Sequence, residues 1–124
     1  MIAPPNNPKW RNVPILEYLQ NNLRIPGCFE NDANCAALAE WFFGAGRNCR
    51  DFIYLTMSTG IGGGIIASGN LVRGGKTLSA GELGHICIQL DGREGFFGMK
   101  GCYEAYAGGR ALAQRMQQEL ADSP

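Results

Sequence analysis

The chain has 124 residues, with hydrophobic residues at 45% and charged residues at 18%; this is the composition of a folded chain and not of a disordered one, and the length fits one small domain better than two complete ones. Lysine plus arginine is 11 and aspartate plus glutamate is 11, so a formal charge of zero supplies no electrostatic footprint for nucleic acid or an anionic membrane. Glycine is in excess, 18 of 124 or about twice the common ~7% share, and without a collagen-like period these glycines belong to turns, tight hairpins or ligand loops.

The first dozen residues are rich in proline and asparagine and read as irregular chain, and no signal peptide is expected where Met1-Ile2-Ala3 runs into Pro4-Pro5-Asn6-Asn7-Pro8. Asn12 is expected to cap a helix over residues 13–23, with Pro14 in its first turn and Leu16, Leu19 and Leu23 as its apolar stripe. Pro26-Gly27 ends it, and a short strand at Cys28-Phe29-Glu30 follows. Asn31-Asp32 starts a second helix, in which Cys35, Leu38, Ala39 and Phe42 fall at i, i+3, i+4 and i+7 and predict one buried face. Gly44 and Gly46 are expected to terminate it in the usual C-terminal way.

Residues 51–57 read as a strand, 61–67 as a second, and Leu71 and Val72 as a third across a Ser68-Gly69-Asn70 turn. Residues 73–84 are loop, 86–90 another short strand, and 91–101 a glycine-rich stretch. A short helix near 102–107 precedes one over 110–121, with Leu112, Met116 and Leu120 on one face. This order predicts a mixed α/β class. No apolar run approaches the ~20 residues of a membrane span. The five cysteines, Cys28, Cys35, Cys49, Cys87 and Cys102, form no CxxC pair and read as free thiols of a reducing cytosol.

Two phosphate-loop look-alikes fail on context. Gly69 to Thr77 has asparagine, Asn70, where the Walker spacing needs glycine, and it follows a hairpin turn and opens no helix. Gly62-Gly63-Gly64-Ile65-Ile66-Ala67 fits a loose dinucleotide pattern but runs into β-branched residues instead of a helix. Ser58-Thr59-Gly60-Ile61-Gly62-Gly63-Gly64 lies between two predicted strands and reads equally as a β-hairpin or as a cradle whose backbone N–H groups and hydroxyls face a phosphate. Asp32 reads either as a helix N-cap or as a carboxylate that takes a proton from a substrate hydroxyl. Glu82, His85 and Glu104, flanked by glycines, are either surface groups and one satisfied histidine or the lining of a polyol pocket.

Taken together, Glu30-Asn31-Asp32-Ala33-Asn34, Ser58 to Ile66, Ala80-Gly81-Glu82-Leu83-Gly84-His85 and Gly101-Cys102-Tyr103-Glu104 resemble the ROK family of repressors and sugar kinases, in the family's order. The resemblance implies an α/β, actin-like ATPase (ribonuclease H-like) fold of two lobes, with residues 1–30 ending the small lobe and 31–124 beginning the large one. It implies ATP-dependent transfer of a phosphoryl group to the hydroxymethyl group of a hexose or N-acetylhexosamine, with ATP and Mg²⁺ as cofactors. Asp32 would be the general base, Asn31, Glu82, His85 and Glu104 would bind sugar hydroxyls, and Ser58, Thr59, Gly60 and Gly62 would lie at the phosphate. A cytoplasmic homo-oligomer is implied, with a sugar-sensing repressor domain or a non-catalytic sugar-binding remnant as alternatives.

Two departures from the family pattern carry expectations. Gly95 and Phe97 stand where the family has two zinc-binding cysteines, so His85 and Cys102 alone leave the four-ligand site incomplete. No zinc is expected there, and Phe96, Phe97 and Met99 are expected to hold the loop by apolar packing. The family's Asp-x-Gly-Gly-Thr phosphate loop does not occur among these residues, so the chain resembles an internal segment, and weak or no kinase activity is expected of it alone.

Overall fold

The computed structural model describes residues 9–95 and 98–123. The chain divides into two compact units, Met1–Glu30 and Asn31–Pro124.

In the first unit, helix α1 spans Ile15–Leu23 and buries none of its residues. The expected cap fails because Asn12 has φ 50°, a left-handed conformation, and the cap position falls to Pro14, which has no side-chain bond to offer. The helix ends at Arg24, also left-handed, whose N–H donates to the Gln20 carbonyl at 2.9 Å. Gln20 Nε2 donates to the Gly27 carbonyl at 3.1 Å and folds the exit back along the helix. The expected strand at Cys28-Phe29-Glu30 does not form: these residues have no regular secondary structure and join no sheet among the described residues. Leu19 and Leu23 stay 45% and 58% exposed, so the leucine stripe is not a core within this short unit.

The second unit is built on a three-stranded antiparallel sheet, β1 (Phe52–Met57), β2 (Ile61–Ala67) and β3 (Asn70–Leu71), in that spatial order. Met57 pairs with Ile61 and Phe52 with Ile66, so Ser58-Thr59-Gly60 is the connecting loop. Ala67 pairs with Asn70 across Ser68 (φ 50°) and Gly69 (φ 75°), the two positive φ values that a type I′ turn demands.

Helix α2 (Asp32–Phe43) lies on one face of this sheet. Its buried residues are Ala33, Asn34 and Ala37, and not the expected Cys35, Leu38, Ala39 and Phe42; Phe42 is 58% exposed. The reason sits on β2. A Cβ on Gly64 would strike the Ala37 methyl and come within 3.1 Å of the Ala33 carbonyl, and one on Gly62 would sit 3.5 Å from the Ala33 methyl. Alanine against glycine brings the helix axis close to the strand, and bulky side chains on that face would force it away. At the helix end Gly44 is not left-handed (φ −112°), and Gly46 serves close packing instead, since a Cβ there would meet the Trp41 backbone and the Phe52 ring.

The opposite sheet face receives the one-turn 3-10 helix Leu83–His85. A Cβ on Gly63 would collide with the Leu83 side chain, and one on Gly84 with the Ile61 carbonyl. On that face the β1 side chains Ile53, Leu55 and Met57 are 61%, 45% and 57% exposed. Residues 86–90 form no strand; one isolated bridge, Cys87 to Cys102, joins this stretch to the chain ahead of α3 (Glu104–Ala107). Helix α4 (Gly109–Ala121) buries Ala111 and leaves Leu112, Met116 and Leu120 exposed, so its apolar stripe also faces outward.

Candidate functional site

One cleft of about 440 Å³ in the second unit is lined by Asn31, Asp32, Ser58, Thr59, Gly60, Gly62, Glu82 and Glu104, all named from sequence, together with Thr56, Ala33, Ile61, Gly63 and Gly81. That volume lies in the roughly 300–1,000 Å³ range of small-molecule sites. The fold brings these groups together because β2 supports every wall. Helix α2 delivers Asn31 and Asp32 over one face, the β1–β2 loop delivers Ser58 to Gly60 at the strand start, and the Gly81–His85 segment lies on the other face.

The first wall is the start of α2. Asn31 has the extended conformation of an N-cap, and its Oδ1 accepts the Ala33 and Asn34 N–H groups at 2.9 and 3.1 Å. Asn31, and not Asp32, is therefore the cap. Asp32 is the first helical residue, exposed toward the cleft, and its Oδ1 accepts the Ala33 N–H at 2.9 Å. Asn31→Asp should keep thermal stability near that of the parent, because both side chains cap well. Asn31→Ala should lower it by about 1 kcal/mol, measured by urea unfolding.

The second wall is the β1–β2 loop, and it is a tight hairpin: the Ser58 N–H donates to the Gly60 carbonyl at 2.9 Å. Its anchors come from far along the chain. Glu104 Oε2 accepts the Ile61 N–H at 2.6 Å, and a Cβ on Gly60 would strike the same carboxylate. The Gly109 and Arg110 N–H groups at the start of α4 donate to the Ser58 and Thr59 carbonyls at 2.8 and 3.1 Å. Glu104 thus braces the hairpin as well as lining the cleft, a role that its sequence surroundings do not announce. The Gly108-Gly109 pair was the available signal for the α4 anchor, since a Cβ on Gly109 would meet the Ser58 carbonyl.

The third wall carries Glu82, whose Oε2 lies 3.6 Å from His85 Nε2. His85 is half-buried behind Glu82 and does not line the cleft itself. Gly81 runs against the Gly63 carbonyl, so the glycines of this segment serve close approach to β2.

Behind Glu104, the stretch 89–101 is tied by hydrogen bonds. The Gly95 N–H donates to Met99, the Gly101 N–H to Arg93, and the Tyr106 hydroxyl bridges Arg93 N–H and Gln89 Oε1 at 2.9 Å each. The Arg93 guanidinium stacks 5.6 Å above the Tyr106 ring. The apolar packing expected of Phe96 and Phe97 lies outside the described residues, and Met99, expected to join it, is 43% exposed. Among the described residues no group of three or more His, Cys, Asp or Glu side chains is arranged to hold a metal ion. No helix among them is long and apolar enough to cross a membrane.

The family model described as ROK matches residues 1–124. The chain is 42% identical over 118 residues to a glucokinase of Streptomyces coelicolor, covering 95% of this chain and 37% of that protein. It is 39% identical over 111 residues to a xylose repressor of Bacillus spizizenii, covering 90% of this chain and 29% of the repressor. Among solved structures, a ROK family glucokinase from Streptomyces griseus in complex with glucose and AMPPNP matches with a TM-score of 0.77 and 42% identity, over 95% of this chain and 38% of that one. The chain thus spans less than two fifths of the length of these relatives.

Proposed function

The chain belongs to the ROK family, whose relatives of this sequence include sugar kinases and repressors, and from that membership we propose that it forms the sugar-binding and phosphoryl-receiving part of an ATP-dependent sugar kinase. The observation that carries this reading is the convergence of Asp32 and the Ser58-Thr59-Gly60 hairpin on one cleft. Phosphoryl transfer needs an acceptor hydroxyl held in line, a group to take its proton and donors for the developing phosphate charge. Asp32 takes the proton from the hydroxymethyl hydroxyl of the sugar. Asn31 and Glu82 hold ring hydroxyls, and His85 orients Glu82 from behind. Glu104 accepts from a hydroxyl while its Oε2 braces the Ile61 N–H. Ser58, Thr59 and the backbone of Gly60 and Gly62 stabilise the transferred group.

The hairpin suits a nucleotide phosphate because Ser58 and Thr59, two hydroxyl donors, line the cleft beside Gly60. ATP with Mg²⁺ would supply the phosphoryl group and neutralise its charge. In this reading residues 1–30 end the small lobe and residues 31–124 begin the large one. The sugar-responsive regulator is the second reading, favoured by the likeness to the xylose repressor.

Sugar binding is tested first, by thermal unfolding with increasing glucose. Ligand at 100 times its dissociation constant should stabilise the chain by about 2.7 kcal/mol. Glu82→Gln should weaken this shift, and an unchanged melting temperature with glucose, N-acetylglucosamine, N-acetylmannosamine and xylose would remove the proposed pocket.

A further inference from the structure

We propose that Cys87 and Cys102 are a reversible disulfide site that ties together the two segments behind the cleft. The two residues face each other in an isolated antiparallel bridge. The Ile88 N–H donates to the Gly101 carbonyl at 2.8 Å, and the Tyr103 N–H to the Ile86 carbonyl at 2.9 Å. These bonds flank the cysteines and leave them as the non-hydrogen-bonded pair of the bridge. In such a pair the side chains share one face and the Cα atoms stand about 4.5 Å apart. Disulfides usually span Cα separations of about 4.4–6.8 Å, a range that includes the separation of such a pair.

The thiols are both present as such. Cys87 Sγ donates to the Lys100 carbonyl at 3.8 Å and Cys102 Sγ to the His85 carbonyl at 3.5 Å. Turning each side chain about its Cα–Cβ bond releases these weak contacts and directs sulfur toward sulfur. Their environments differ in a useful way: Cys87 is exposed, whereas Cys102 is 4% exposed. The oxidant is a small-molecule disulfide. Cys87 as thiolate attacks one of its sulfurs, forming a mixed disulfide and releasing one thiolate. Cys102 as thiolate then attacks Cys87 Sγ, forming the protein disulfide and releasing the second. Two cysteine thiols lose two protons and two electrons, and one small disulfide becomes two thiols.

The location gives the bond a consequence. Cys87 lies two residues beyond His85, and Cys102 two residues before Glu104. Joining them fixes the segment of Glu82 and His85 to the segment of Glu104. The effect on sugar binding rests on the function proposed above, whereas the bond itself does not.

The test is incubation of the folded chain with oxidised glutathione, followed by intact mass and a non-reducing digest. The expected result is a loss of two hydrogens per chain, a linked peptide containing Cys87 and Cys102, and reversal by dithiothreitol. Cys87→Ser, at an exposed position, should fold normally and abolish the linked peptide. Glutathione retained on Cys87, linkage through Cys28, Cys35 or Cys49 instead, or linkage only in denaturant would each overturn the proposal. A linked peptide with an unchanged glucose melting shift would keep the disulfide and overturn its coupling to the neighbouring cleft.

Discussion

Asp32→Asn, placed in a polypeptide that carries this chain together with the remainder of a ROK kinase, should lower kcat by about 10²–10⁴-fold, the usual contribution of a positioned general base. Glucose affinity should change little. Asparagine keeps the shape of the side chain, and its Oδ1 still accepts the Ala33 N–H that Asp32 accepts at 2.9 Å. Because Asn31 carries the N-cap, helix α2 loses no capping bond in this variant. Steady-state kinetics with isothermal titration separates the alternatives. A fall in kcat with constant sugar dissociation assigns Asp32 to the proton transfer. Equal losses of affinity and turnover would make it a binding or structural group.

Gly64→Val should destabilise the second unit strongly. A Cβ at this position meets the Ala37 methyl, the Ala33 carbonyl at 3.1 Å and Asn34 Cα at 3.3 Å. Two of these three are backbone atoms of α2, so relief requires the helix to move off the sheet. Overpacking of this kind costs about 1–3 kcal/mol, and for a unit of this size each kcal/mol lowers Tm by about 4–8 °C. Gly64→Ala should show a smaller fall in the same direction. A melt of Gly64→Ala that overlays the parent would mean that α2 and β2 are not in this close contact. Since α2 carries Asn31 and Asp32, Gly64→Val should also reduce the glucose-induced rise in Tm.

Much of the element order was legible. The β1–β2–β3 meander follows from β-branched runs separated by turn residues, and Ser68-Gly69 supplies the two positive φ values of the second turn. The start of α2 at Asn31-Asp32 was equally plain, although the dipeptide alone did not say which residue caps. The buried face of α2 departs from the apolar periodicity for a definite reason. A periodicity search weights large apolar residues, and these lie at Cys35, Leu38 and Phe42. The contact with β2 is made through small residues on both sides, which carry little hydrophobic signal. The same fact reassigns part of the glycine excess: Gly63 and Gly64 are needed for packing on the two faces of β2, whichever ligand the cleft takes. The brace from Glu104 to Ile61 spans 43 residues, and no local pattern predicts it.

The bare side of β1 has a practical consequence. Ile53, Leu55 and Met57 form an apolar row on what is an edge strand among the described residues, where backbone groups without a ladder partner invite another chain to add itself. Such a surface makes protein concentration a governing variable when the chain is expressed and purified by itself. Solubility should improve when Leu55, at the middle of the row, is changed to lysine, because a charge there discourages edge-to-edge stacking. The cleft lies on other residues, so a more soluble Leu55→Lys chain would be the better material for the sugar-binding measurements.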